Sequence, residues 1–200
     1  MIDKKKELAR LLLKDKILKY GEFTLKSGEK SWFYVDLRLI SSFPKTFEFV
    51  IGCYIDLVKK IENVEAFAGV AVAGIPFSSV MGYLLNLPSI IVRPQPKEHG
   101  LKKLVEGNIP VSSKVVLVDD LITTGSSKIP GILALRDKNF KVEDMVVLVD
   151  RSQSNLEELI DLNINLHAFI SIEELFKLCL ELDKSYISEE EKELIRTNLN

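Results

Sequence analysis

Val115-Val116-Leu117-Val118-Asp119-Asp120-Leu121-Ile122-Thr123-Thr124-Gly125-Ser126-Ser127 is the stretch on which the reading of the whole chain turns. Four consecutive β-favouring apolar residues predict a strand buried on both faces of a parallel sheet. Two adjacent carboxylates stand at its C-terminal end, and a short loop with four hydroxyls and one glycine leads from there into a helix. Open α/β sheets place ligands at the C-terminal ends of their strands. Backbone N–H groups feeding a helix N-terminus make a natural phosphate cradle. Thr123, Thr124, Ser126 and Ser127 can each donate a hydroxyl to phosphate oxygens, and Gly125 lets the backbone approach closely. Asp119 and Asp120 repel such an anion, so they are expected to face hydroxyl groups or a divalent cation. Both are read as lying on a wet edge, important for chemistry and dispensable for folding. No Gly-Lys-Ser/Thr follows the strand, which excludes a Walker A loop.

Outward from this stretch the chain alternates strands and helices, the pattern of an α/β fold with a central parallel sheet flanked by helices. Ala66–Val72 and Ser89–Val92 read as strands around a helix that begins near Gly74 and runs to about Leu85. Gly74 lies at a strand-to-helix turn where backbone amides can meet an anion. A helix over 126–139 tolerates Pro130 only within its first turn. Asp144–Val149 reads as a second fully buried strand, and it ends in Asp150-Arg151 at the ligand edge. A short helix at 156–160, a strand at 164–170 and helices at 171–182 and 188–198 complete the C-terminal part, with Ser188 and Glu191 as a capping box. His167 falls in the last strand and reads as a core or edge histidine.

At the other end, residues 3–18 read as an amphipathic helix whose Lys4-Lys5-Lys6 run is a solvated face. Gly21 to Asp36 follows as a hairpin around Ser27-Gly28-Glu29-Lys30, with Phe23, Trp32, Phe33 and Tyr34 concentrated in it. Pattern alone reads it as a capping hairpin with an apolar underside; the alternative is a hood over a flat heterocycle, with Lys26 offering a cation. The helix after Pro44 carries Phe47, Val50, Ile51, Tyr54, Ile55, Val58 and Ile61 at helical spacing. Arg93-Pro94-Gln95-Pro96-Lys97-Glu98-His99-Gly100-Leu101-Lys102-Lys103 cannot form regular structure. It reads as a mobile basic lid, with a plain exposed loop as the alternative.

Composition narrows the class without naming it. The chain has 200 residues, 28% charged and 46% hydrophobic, with a formal net charge of -2. That balance suits a water-soluble globular protein and argues against a polyanionic partner such as nucleic acid. Cys53 and Cys179 match no metal-ligand spacing and read as buried thiols. No signal-peptide pattern or spanning segment is read, so a cytoplasmic protein without membrane association is expected.

The acidic strand end with Thr123-Thr124-Gly125-Ser126 resembles the phosphoribosyl diphosphate signature of type I phosphoribosyltransferases. Three further pieces make the chain resemble the orotate phosphoribosyltransferases over nearly its whole length: Gly21-Glu22-Phe23-Thr24-Leu25-Lys26-Ser27-Gly28, Arg93 with Lys97-Glu98-His99-Gly100, and Val149-Asp150-Arg151. The resemblance implies one phosphoribosyltransferase domain over residues 1–200, with a hood mainly in 1–40 and a core over about 41–200. It implies transfer of the phosphoribosyl group from 5-phosphoribosyl 1-diphosphate to orotate, giving orotidine 5′-monophosphate and diphosphate in pyrimidine synthesis. Mg²⁺ is the implied cofactor, held mainly through substrate and water near Asp119 and Asp120 with no dedicated protein ligands. A homodimer whose lids cover each other's sites is implied as well.

Residue by residue, the resemblance makes Lys97, His99, Asp119 and Asp120 catalytic. Arg93, Lys97 and His99 neutralise the leaving diphosphate, with Ala73 and Gly74 beside it. Asp119 and Asp120 hold the ribose hydroxyls, and Leu121, Ile122, Thr123, Thr124, Gly125, Ser126 and Ser127 bind the 5′-phosphate. Arg151 meets the orotate carboxylate with a planar fork, while Lys26 and Tyr34 contribute from the hood. The chain also departs from the family. Pro94 and Ala73 stand where many members carry lysine, and Val35 where an aromatic is common. The diphosphate is therefore held by fewer side-chain cations, or by backbone amides and Lys102 or Lys103. A phosphoribosyltransferase for another base and a non-catalytic, nucleic-acid-binding sensor of phosphoribosyl diphosphate are the competing classes. The pairing of Arg151 with Lys26 argues against the first, the slightly acidic balance and intact lid against the second.

Overall fold

In a computed structural model of the chain, the described residues are 2–24, 28, 30–93, 104–152 and 156–199. The elements in chain order begin with α1 (Ile2–Lys14), β1 (Leu18–Thr24), β2 (Lys30–Val35), α2 (Pro44–Val58), β3 (Ala66–Val70), α3 (Gly74–Leu85), β4 (Ser89–Val92) and β5 (Val105–Glu106). They continue with β6 (Lys114–Ile122), α4 (Ile129–Asp137), β7 (Lys141–Asp150), α5 (Glu157–Asp161), β8 (Asn165–Ser171), α6 (Ile172–Leu180) and α7 (Glu189–Asn198). Two compact units result: Met1–Val50 with Ile170–Asn200, and Ile51–Phe169.

The second unit holds a six-stranded sheet in the order β5-β4-β3-β6-β7-β8. Pairings β3–β4, β3–β6 and β6–β7 are parallel, as the apolar runs predict. One edge differs: Val105-Glu106 pairs antiparallel with β4, just past the segment read as a lid. Two residues carry too little periodicity to be read as a strand, and only the exposed edge of β4 makes them one. Val115, Val116, Leu117 and Val118 are all fully buried, so the strand is covered on both faces. On one face Val115 and Leu117 share a core with Ala66, Ala68 and Val70, with Met145 and Val147, and with Ile132 and Leu135 of α4. Each valine, leucine, isoleucine or methionine among them contributes about 1.5–3 kcal/mol on leaving water. Helix α3 packs against β3 and β6. His167 on β8 lies half-buried with Nε2 2.8 Å from Oδ1 of the buried Asp144, whose other oxygen takes Lys114 Nζ at 3.1 Å; it is an edge histidine, as read.

Strand β6 is longer than its apolar run. It continues through Asp119 and Asp120 to Ile122, because β7 also runs on to Asp150 and supplies pairing partners, Asp119 opposite Val147 and Ile122 opposite Asp150. The signature carboxylates therefore belong to the strand rather than to the loop after it. The helix read over 126–139 starts as a 3-10 turn, Ser126–Lys128, and α4 proper has Pro130 in its first turn.

In the first unit, β1 and β2 form the expected antiparallel hairpin, with a register shift between Tyr20 and Phe23. Helix α1 stops at Lys14, earlier than the periodicity predicts, and Lys16 takes a positive φ before β1 begins. Trp32 and Phe33 gather on Phe176 of α6, with ring centroids 4.7 and 4.9 Å away, and Tyr20 lies against Trp32. These aromatics build that unit's own core, the capping-hairpin reading. Phe23 and Tyr34 instead face each other at 5.7 Å, and Tyr34 is 38% exposed. The lysine run is not merely solvated: Lys5 and Lys6 pair with Glu174 at 2.7 Å and Glu181 at 3.1 Å. The capping box of Ser188 and Glu191 on α7 is present as read.

Candidate active site

Parallel neighbours end on the same edge of a sheet, so the order β4-β3-β6-β7 brings Arg93, the Ala71–Gly74 turn, the Asp119–Ser127 segment and Arg151 side by side. Lys26, Lys97 and His99 lie outside the described residues, as do Lys102 and Lys103. Tyr34 belongs to the first unit.

The two aspartates are not equivalent. Asp119 is 2% exposed, which contradicts its reading as a solvent-edge carboxylate. One of its oxygens accepts the Asp120 N–H at 2.9 Å, and the other is ion-paired with Lys128. Its backbone carbonyl accepts the phenol of Tyr54 at 2.7 Å, from α2. Asp120 is half-buried and accepts the Leu121 N–H at 2.8 Å. Burial first, and the Asp119 charge second, push its pKa up to about 7. A carboxylate so placed is ready for a hydrogen-bond donor or a cation that would favour its charged form.

The hydroxyl-rich loop begins only after Ile122, where β6 ends. Leu121 and Ile122 pair with β7, the Ile122 side chain lies in the core, and its carbonyl accepts the Arg151 N–H at 2.8 Å. Thr123, Thr124, Ser126 and Ser127 are exposed, and the Thr124 and Ser126 hydroxyls are 2.8 Å apart. Gly125 takes φ +82°, a conformation that favours glycine. A cavity of about 360 Å³ opens here, lined by Thr124, Ser126, Glu157 and Glu158.

Gly74 starts α3, with Ala73 before it and a cis peptide between Ala71 and Val72. A Cβ at Gly74 would lie 2.1 Å from the Val118 carbonyl oxygen, so glycine is required for α3 to pass beside β6. Gly74→Ala is therefore expected to cost about 1–3 kcal/mol through overpacking, read as a lowered urea midpoint. A midpoint equal to wild type would mean that the turn has room to move. Arg93 is half-buried with Nε 2.7 Å from Glu106 Oε1 on the antiparallel edge strand. Arg151 follows directly on β7, and burial pulls its pKa below the ordinary arginine value.

Lys128 and Tyr54 escaped the sequence reading. Tyr54 looked like one more member of an apolar stripe, although a buried phenol usually finds a partner. Lys128 stands in the 3-10 turn with no local pattern that marks it as the partner of Asp119. Among the described residues no three His, Cys, Asp or Glu side chains gather so as to hold a metal ion.

The chain is 34% identical over 189 residues to an orotate phosphoribosyltransferase of Sulfolobus acidocaldarius, the match covering 94% of each. It is 37% identical over 177 residues to the enzyme of the same name from Pyrobaculum islandicum, covering 88% of this chain and 89% of that one. The chain belongs to the orotate phosphoribosyltransferase family. The crystal structure of the Aeropyrum pernix orotate phosphoribosyltransferase superposes with a TM-score of 0.77 at 30% identity, over 85% of this chain and 96% of that one. No family model matches the chain. As a member of the orotate phosphoribosyltransferase family it is a transferase with the type I phosphoribosyltransferase fold.

Proposed function

We propose that the protein transfers the phosphoribosyl group from 5-phosphoribosyl 1-diphosphate to orotate, forming orotidine 5′-monophosphate and diphosphate in de novo pyrimidine synthesis. The observation that carries this reading is the half-buried carboxylate of Asp120 between a hydroxyl-lined loop and an arginine on one parallel-sheet edge. Breaking the bond from ribose C1 to diphosphate builds positive charge on the sugar and negative charge on the leaving group. Asp120 accepts hydrogen bonds from the ribose hydroxyls and stabilises the cationic sugar. Thr123 to Ser127 take the 5′-phosphate through backbone N–H groups and hydroxyls. Arg151 meets the carboxylate of orotate. The roles of Lys26, Tyr34, Lys97 and His99 rest on the resemblance.

Mg²⁺ is part of the proposal. The donor set suits it, since Mg²⁺ keeps its waters and takes one or two carboxylates plus substrate phosphates rather than a protein cage. Asp120 is the nearest fit, and the ion would supply charge neutralisation of the diphosphate. A homodimer with a lid over residues 94–103 shared between subunits, and a cytoplasmic location, belong to the same reading. No helix among the described residues is long and apolar enough to cross a membrane.

The test is loss of orotate absorbance with phosphoribosyl diphosphate, with and without Mg²⁺, repeated with uracil and hypoxanthine. Turnover of orotate alone, dependent on Mg²⁺, is expected. Preference for hypoxanthine or uracil would move the protein to another branch of the phosphoribosyltransferases.

A further inference from the structure

An ionised carboxylate 2% exposed cannot stand alone, because its lost hydration must be replaced by a cation and hydrogen bonds. Lys128 supplies the cation for Asp119. The side chains of the pair are 3% and 13% exposed, so water screens them little. Asp119 spends its second oxygen on the Asp120 N–H. Successive residues of a strand point to opposite sides, so Asp120 is left to face elsewhere. Asp119 and Lys128 also bracket the loop: it leaves β6 after Ile122 and closes in the 3-10 turn, where Lys128 N–H meets the Gly125 carbonyl at 2.8 Å. One ion pair therefore clips together both ends of the segment that carries the exposed hydroxyls of Thr123, Thr124, Ser126 and Ser127.

We propose that Lys128 is a positioning residue, which locks Asp119 as a buried anion, holds the hydroxyl loop closed over the strand end, and leaves Asp120 as the one carboxylate of the pair that touches substrate. The inference rests on the functional reading above and assigns separate work to two adjacent acids. Lys128 touches neither substrate nor reacting atoms; it acts through Asp119 and the loop. Without it, Asp119 is a buried carboxylate with no cation beside it, and the local structure rearranges to relieve that.

Five proteins test this: wild type, Lys128→Met, Asp119→Asn, Lys128→Arg and Lys128→Met with Asp119→Asn. Wild type is assayed first, and failure to turn over orotate would reject the functional reading; urea midpoints of the same set still decide whether the pair is a unit. With an active wild type, Lys128→Met is expected to lose roughly 10–100-fold in kcat and to raise KM for phosphoribosyl diphosphate, while KM for orotate stays within about twofold. Lys128→Arg should recover most of the rate, because it restores the charge. The double substitution should be more stable than Lys128→Met and no slower, since it removes the orphaned charge. Should Lys128→Met fail to fold, Lys128→Arg against the double substitution carries the same comparison. Wild-type kcat and KM in Lys128→Met with only a lowered midpoint, or strictly additive effects around the cycle, would overturn the proposal.

Discussion

Asp120→Asn lowers kcat by on the order of 100-fold or more, about 3 kcal/mol of lost transition-state stabilisation, while the protein remains folded. The amide keeps the shape and loses the charge that the sugar cation needs. The same substitution changes how stability depends on pH. Asp120 titrates near 3.8 in an unfolded chain and about 7 in the folded one, because burial and the Asp119 charge disfavour its ionised form. Between those values the folded state holds a proton that the unfolded state has released. Stability from this group is thus fully present below the unfolded pKa and is lost as pH rises through the folded one. Asp120→Asn stays neutral throughout, so its urea midpoint should decline less than that of wild type across this window, in the absence of ligands. A variant with near-normal turnover would remove Asp120 from the chemistry. An unchanged pH dependence would mean that its carboxylate is better solvated than its position implies.

Arg151→Ala raises KM for orotate by a factor equivalent to roughly 2–4 kcal/mol, the usual result of truncating one partner of a buried hydrogen-bonded charge pair. KM for phosphoribosyl diphosphate should change little, which separates lost base recognition from general damage. The physical basis is the burial that already pulls the Arg151 pKa down: a guanidinium kept partly from water gains strongly from a carboxylate. For the same reason wild type should use uracil very poorly, since uracil offers that fork no anion. Orotate affinity in Arg151→Ala equal to wild type would place the carboxylate elsewhere, with Lys26 the next candidate.

Much of the fold was legible because it depends on short-range patterns. Runs such as Val115–Val118 and Met145–Val149 are apolar without alternation, which requires cover on both faces and so a parallel sheet between helices. Pro130, the Ser188–Glu191 box and the hairpin around Gly28 were legible as local chemistry. The edge strand at Val105-Glu106 was not, since a two-residue strand exists only through the neighbour whose free edge it fills. Similarly, nothing local in Trp32 and Phe33 says that they pack on Phe176, far along the chain.

By itself the sequence determined that a hydroxyl-rich loop follows a buried strand bearing two acids, and that an arginine follows a second such strand. Residue type, order and spacing are enough for that, and for the family to which they belong. Only the tertiary structure decided which acid is which. Asp119 and Asp120 are the same side chain one position apart, so propensity and hydropathy treat them alike. Their difference arises because β7 extends β6 past its apolar run, turning one carboxylate in toward Lys128 and leaving the other half-buried. Burial and charge pairing depend on distances between atoms that the chain brings together only when the sheet and the turn after it have formed.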